Sequence, residues 1–199
     1  MNQFIIADSS QCIGCRTCEI ACATAHGGER GISPQNFAPR LKVVKTSRIT
    51  TPVLCRQCEN APCANACPTG AIRYLDNSVQ VLQSLCVGCK SCALACPYGM
   101  ISVSAVSVAA TATRPASYRA TAHKCDICSG RARGPACVEA CPTGALELMR
   151  ADELARRLRQ RQRDAANGAL ELMRADELAR RLRQRQRDAA NGALPGLGG

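Results

Sequence analysis

CVGCKSCALACP, residues 86–97, decides how the rest of the chain is read. Its cysteines fall at Cys86, Cys89, Cys92 and Cys96, in the spacing C-x2-C-x2-C-x3-C, and Pro97 follows the last. Variants of the same run occur three more times. CIGCRTCEIAC carries Cys12, Cys15, Cys18 and Cys22; CRQCENAPCANACP carries Cys55, Cys58, Cys63 and Cys67; CDICSGRARGPACVEACP carries Cys125, Cys128, Cys137 and Cys141. All 16 cysteines belong to these four groups. Every group closes with Cys-x3-Cys, and proline follows in three of them (Pro68, Pro97 and Pro142).

Cysteines at this density serve disulfides, zinc or iron–sulfur clusters. Met1–Asp8 has no basic leader, no twin arginine and no small-residue cleavage site, so a reducing compartment is expected, in which disulfides are rare. Zinc sites usually pair two Cys-x2-Cys knuckles across a longer loop; the last group, with its wide gap from Cys128 to Cys137, comes nearest to that. The tight runs with a trailing proline suit four [4Fe–4S] clusters better. Cysteines at i, i+3 and i+6 let one loop wrap three corners of a cube. The fourth cysteine, expected to open a helix leading away, reaches a different cluster.

The chain has 199 residues, 3% aromatic content and no tryptophan, so a conventional core would be thin and metal would have to organise it. The formal charge of +11 suggests nucleic acid until the clusters are counted. Each loaded site contributes about −2, so four would bring the balance to about +3. The remaining excess sits in the tail, where 12 basic residues face 8 acidic ones. No nucleic-acid partner is expected.

Gln3–Ala7 reads as a strand entering the first run. Thr69-Gly70-Ala71-Ile72, Tyr98-Gly99-Met100-Ile101 and Thr143-Gly144-Ala145-Leu146 follow the other runs, each a glycine turn opening a strand. Arg40–Lys45 alternates like a strand, and Ser102–Ala122 reads as a β-hairpin or a surface linker. The expected class is α+β: two bacterial-ferredoxin-like domains organised around four clusters, plus a helical C-terminal tail. Residues 1–148 form the cluster region, and residues 149–199 a charged tail, helical or disordered. That tail holds an exact duplication, Gly144–Asn167 recurring as Gly168–Asn191, the mark of a recent tandem copy. Asp152–Ala166 is a helix candidate with Asp152 as its cap. No stretch reaches the roughly twenty apolar residues that cross a bilayer.

His26 and His123 lie near the groups, but all four ligand sets are complete without them; loop or hydrogen-bonding roles are expected. Arg16, Arg56 and Lys90 lie inside the ligand loops, where positive charge favours the reduced form of a cluster. There is no Ser/His/Asp set, carboxylate pair or glycine-rich phosphate loop. No catalytic residue is assigned, and the chain is not expected to be an enzyme in itself.

Taken in order, the four runs closely resemble a family of four-cluster ferredoxins, the electron-transfer subunits of molybdopterin oxidoreductases and formate hydrogenlyase-type complexes. The likeness covers Met1 to about Leu148 and is strongest to small cytoplasmic members associated with formate dehydrogenase. It implies a crossed ligand pattern. Cys12, Cys15 and Cys18 would share a cluster with Cys141, and Cys125, Cys128 and Cys137 one with Cys22. Cys55, Cys58 and Cys63 would take Cys96, and Cys86, Cys89 and Cys92 would take Cys67. Some relatives lack the third cysteine of the third group and carry a [3Fe–4S] cluster; Cys92 is present here, so a full cubane is expected. The resemblance further implies a cytoplasmic relay of single electrons between a formate dehydrogenase-type molybdopterin enzyme and a hydrogenase or other redox partner. An iron–sulfur maturation factor for such an enzyme is the alternative.

Overall fold

Each cysteine run folds as a loop that turns into one short helix and then feeds a strand. The computed structural model describes residues 3–28, 31–34, 36–108, 110, 115 and 117–190, without the side chains of 108, 173 and 188–190. The four helices are α1 (Thr17–His26), α2 (Pro62–Asn65), α3 (Ser91–Ala95) and α4 (Ala136–Glu139). They correct one expectation: the helix begins around the third cysteine of each run, not the fourth. Cys18, Cys63, Cys92 and Cys137 all sit in first turns. In the three runs with a trailing proline the helix has ended by the fourth cysteine, because a residue before proline is pushed out of the helical region. Cys96 shows this directly, with ψ 112° ahead of Pro97. Cys22 is followed by Ala23 instead, and α1 continues to His26.

Four two-stranded antiparallel sheets frame these helices. β1 (Gln3–Ala7) pairs with β8 (Leu146–Arg150), Ile5 opposite Leu148. β2 (Lys42–Lys45) pairs with β3 (Thr50–Val53). β4 (Ile72–Leu75) pairs with β5 (Ser78–Val81) across Asp76-Asn77, whose φ values of 48° and 60° suit a tight hairpin turn. β6 (Ile101–Val108) and β7 (Ser117–Lys124) form a hairpin, so of the two readings of Ser102–Ala122, hairpin or surface linker, the structure has the first; most residues from 109 to 116 lie outside those described.

Helix α1 packs on α4, and α2 on α3. Two apolar cores result. One gathers Ile5, Leu41, Val43, Leu54 and Leu146 around Cys18, Cys22 and Cys137. The other gathers Ala61, Ile72, Val79 and Ile101 around Cys63 and Cys92. In both, sulfur occupies positions that aromatic rings usually fill. The first core is tied by a buried carboxylate: Glu19 Oε1 of α1 accepts a hydrogen bond from Val43 N of β2 at 2.6 Å. Glu19→Ala strands that amide, which costs about 1–3 kcal/mol. The expected result is a fall of several degrees in the anaerobic melting temperature; an unchanged transition counts against this tie.

The compact body ends at Ala151, just after β8 runs out. From there α5 (Ala151–Ala190) runs as one helix through both copies of the repeat, well past Ala166; residues 191–199 lie outside those described. It starts one residue before Asp152, so Asp152 and Glu153 lie in its first turn, where negative charge suits the helix dipole, and are not its cap. Glu153 pairs with Arg157 and Glu177 with Arg181, each four residues on. The segment Leu-Glu-Leu-Met-Arg thus takes two forms. Residues 146–150 are a strand because β1 supplies a partner; residues 170–174 are helical. Leucine, glutamate, methionine and arginine all favour a helix when no sheet edge claims them. No helix among the described residues is long and apolar enough to cross a membrane.

Candidate metal centres

All sixteen cysteines are free thiols, and the structure gathers them away from their order in sequence. One cavity is lined by Cys86, Cys89 and Cys92 of the third run with Cys67 of the second. Another is lined by Cys55, Cys58 and Cys63 with Cys96. A third is lined by Cys12, Cys15 and Cys18 with Cys141. Each of the three thus offers the same donor set, three thiols of one run and the last thiol of another.

The remaining thiols also meet. Burial raises the pKa of Cys137 most, and Cys125, Cys22 and Cys128 add to the rise in that order, as like charges crowding one place must. Burial likewise pushes Cys125 up to about 12 and Cys18 up to about 11. Thiolates that cost this much to bury call for metal, which takes deprotonated sulfur and offsets its charge.

The loops aim donors at several sulfurs. Ala71 N donates to Cys67 Sγ at 3.2 Å and Arg40 N to Cys22 Sγ at 3.3 Å. Thr69 and Thr143 place their hydroxyls 3.7 Å from Cys67 and Cys141, the same contact produced twice by the sequence Cys-Pro-Thr-Gly-Ala. The Thr17 hydroxyl, 3.3 Å from Cys15 Sγ, lowers that thiol's pKa. Among the sixteen, only Cys15 and Cys89 are exposed. Four sulfur donors per cavity, apolar walls and N–H or O–H groups turned toward sulfur together fit a 4Fe–4S cluster.

Sequence reading missed the polar groups between the runs. Asp126 sits between Arg40 at 2.7 Å and His26 at 3.1 Å. Burial opposes its charge, but His26 and Arg40 outweigh burial and hold the carboxyl well below the usual range. His26 also bonds the Cys22 carbonyl at 2.8 Å and lies 3.8 Å from Cys22 Sγ, so it braces the fourth cysteine of its run. His123 instead bonds Ser104 Oγ within the hairpin. Arg56 lies over the Tyr98 ring, 5.8 Å from its centroid, and both line the cavity of Cys55, Cys58, Cys63 and Cys96. Arg16 and Lys90 are exposed and hold left-handed positions with φ 61° and 65°, turning their runs into α1 and α3.

Residues 46–151 match the family of 4Fe–4S dicluster domains. The electron transport protein HydN of Escherichia coli (strain K12) is 45% identical over 172 residues, covering 83% of this chain and 98% of HydN. The chain belongs to the 4Fe–4S dicluster family. Formate hydrogenlyase subunit 2 of Escherichia coli (strain K12) is 42% identical over 178 residues, covering 78% of this chain and 86% of that subunit. The putative oxidoreductase AegA of the same strain is 51% identical over 150 residues, 75% of this chain but only 22% of AegA. The cofactors of this 4Fe–4S dicluster protein are therefore 4Fe–4S clusters. Because such clusters exchange single electrons, it is an iron–sulfur electron-transfer protein.

Proposed function

We propose that the chain is a relay without a substrate site of its own, holding four [4Fe–4S] clusters in two ferredoxin-like units. The first and fourth runs make one unit and the second and third the other, within a cluster region 1–148 that is followed by the charged tail 149–199. Cys12, Cys15, Cys18 and Cys141 hold one cluster and Cys125, Cys128, Cys137 and Cys22 the next. Cys55, Cys58, Cys63 and Cys96 hold the third, and Cys86, Cys89, Cys92 and Cys67 the last. The observation that carries this reading is the lining of the cavities by three thiols of one run and the closing thiol of another.

When bound, the clusters supply one-electron oxidation and reduction; the chain fixes their order and surroundings. Cys18, Cys22 and Cys137 share one core, Gln57 of the second run bonds the Cys125 carbonyl, and Cys63, Cys67, Cys92 and Cys96 share the other core. These contacts support the order Cys15 site, Cys128 site, Cys58 site, Cys89 site. Cys15 and Cys89, the exposed thiols, stand at the two ends of that order. The partners proposed are a molybdopterin enzyme of the formate dehydrogenase type at one end and a hydrogenase or other redox protein at the other. Kinship with HydN and with formate hydrogenlyase subunit 2 supports them. A reducing compartment, the cytoplasm, suits a chain so rich in free thiols.

Cys141→Ser tests the crossed ligands. Anaerobically purified variant is expected to lose about a quarter of its iron and sulfide, with one cluster signal gone from its paramagnetic resonance spectrum. The second and third runs keep theirs. Loss confined to those runs would defeat the pairing. Wild-type protein carrying zinc and no acid-labile sulfide would defeat the relay itself.

A further inference from the structure

Lys124 is the last residue of β7 and, among the described residues, the only lysine or arginine that is fully buried, with 3% of its surface exposed. Its Nζ donates to three oxygens: Val79 O at 2.5 Å, Cys125 O at 3.0 Å and Gln57 Oε1 at 3.3 Å. A neutral amine has two N–H donors and an ammonium three, so this cage takes the charged form. Gln57 completes the knot. Its Nε2 donates to Cys125 O at 2.8 Å, and its Oε1 accepts from Val79 N at 2.8 Å. Burying a cation is costly, and three neutral oxygens carry no full negative charge to offset it.

Its position gives the reason. Lys124 lines the cavity of Cys55, Cys58, Cys63 and Cys96, while its own neighbour in sequence is Cys125 of the adjoining set. It therefore reaches both sets: its side chain lines the first, and its Nζ donates to the backbone carbonyl of a cysteine of the second. We propose that Lys124 is a fixed positive charge shared by the two inner sites, placed to raise the reduction potential of both. This rests on the four-site reading above.

Each inner site gains one electron from a neighbouring site and later passes it to the next. No bond is made or broken, no proton moves, and the site's charge changes from about −2 to about −3. A cation buried between two such sites stabilises the more negative state of either, with little screening by water. Lys124 is therefore a positioning charge for the middle of the relay and touches neither partner protein.

The test is a redox titration of the Lys124→Gln full-length protein, followed by paramagnetic resonance after iron and sulfide have been counted. Fewer than four clusters in the wild type would refute the four-site reading, whatever the lysine does. In fully loaded variant, two of the four reductions are expected to move to lower potential, by about tenfold in the reduced-to-oxidised ratio, or ~59 mV for one electron. The other two stay in place, and Lys124→Arg restores the wild-type values. Four unmoved potentials, or four moving together, overturn the proposal. If Lys124→Gln loads poorly, Gln57→Glu keeps the lysine but sets a carboxylate against it, and the same two reductions are expected to fall. Failure of both variants to load also overturns it, because the lysine would then be a folding element.

Discussion

Stripping iron from the purified protein is expected to unfold the body that ends at Ala151 rather than leave an empty scaffold. The two cores hold five cysteines among their fully buried side chains, and further cysteines pack against both. Without iron those positions are small thiols facing one another across open clefts, and the large aromatic side chains that could fill such space are scarce. The four sheets have two strands each, and a lone pair of strands is marginal in water. Metal binding is then most of the folding free energy, on the order of 10 kcal/mol or more for a thiolate-bound metal site. Chelation under anaerobic conditions should abolish the cooperative melting transition and open the body to trypsin at Arg40 and Arg119. An apo-protein that keeps a sharp transition would overturn this account.

Gly88→Ala is expected to be the most damaging single methyl in the chain. Gly88 sits between Cys86 and Cys89 with φ 74°, and a Cβ there would lie 2.2 Å from the Cβ of Ala120 on β7. That neighbour is fixed to the backbone of a paired strand and has no rotamer to change. The left-handed strain and the overlap together amount to about 2–4 kcal/mol, falling on the loop that presents three thiols. Loss of the cluster held by Cys86, Cys89 and Cys92 should follow, read as iron per chain and as a lowered melting temperature. Gly14 occupies the same place in the first run, with φ 72°, but its added Cβ would meet the Thr50 methyl at 2.7 Å. A threonine methyl turns aside more easily than an alanine Cβ, so Gly14→Ala should cost roughly half as much. Equal effects at the two glycines would show that backbone strain alone decides both.

Part of this fold was readable in the chain beforehand. Cysteines at i, i+3 and i+6 carry their own geometry, because one loop presents all three thiols. The helix is expected to open at the fourth cysteine, whereas three of the four have ended by then, ahead of proline. The β1 strand follows from local pattern, and Ser102–Ala122, read as a hairpin or a linker, is the β6–β7 hairpin. Lys124, Gln57, Asp126 and Arg40 left no such trace. Lys124 meets Val79 from 45 residues away and Gln57 from 67, and His26 meets Asp126 across 100. Pairing at that range depends on the assembled fold and leaves no period in the sequence. From pattern alone the tail is helical or disordered, with a helix candidate ending at Ala166. It is helical and runs further: α5 passes through Asn167-Gly168, since one glycine costs about 1 kcal/mol and its flanks are rich in strong helix formers.

The pairing of β1 with β8 has a consequence for synthesis. Gln3–Ala7 is made before the rest of the cluster region, yet its strand partner among the described residues is Leu146–Arg150. The core around Ile5, Cys18 and Cys22 is likewise closed by Cys137 and Leu146. The apolar core of the second and third runs, by contrast, lies within residues 58 to 103, and the strand that packs over them is complete by Lys124. The second and third runs can therefore close before the first and fourth during synthesis. The first run waits, with Cys12, Cys15 and Cys18 unshielded, until Leu146–Arg150 has been made. During that interval these three thiols are the part of the protein most open to oxidation or to the wrong metal.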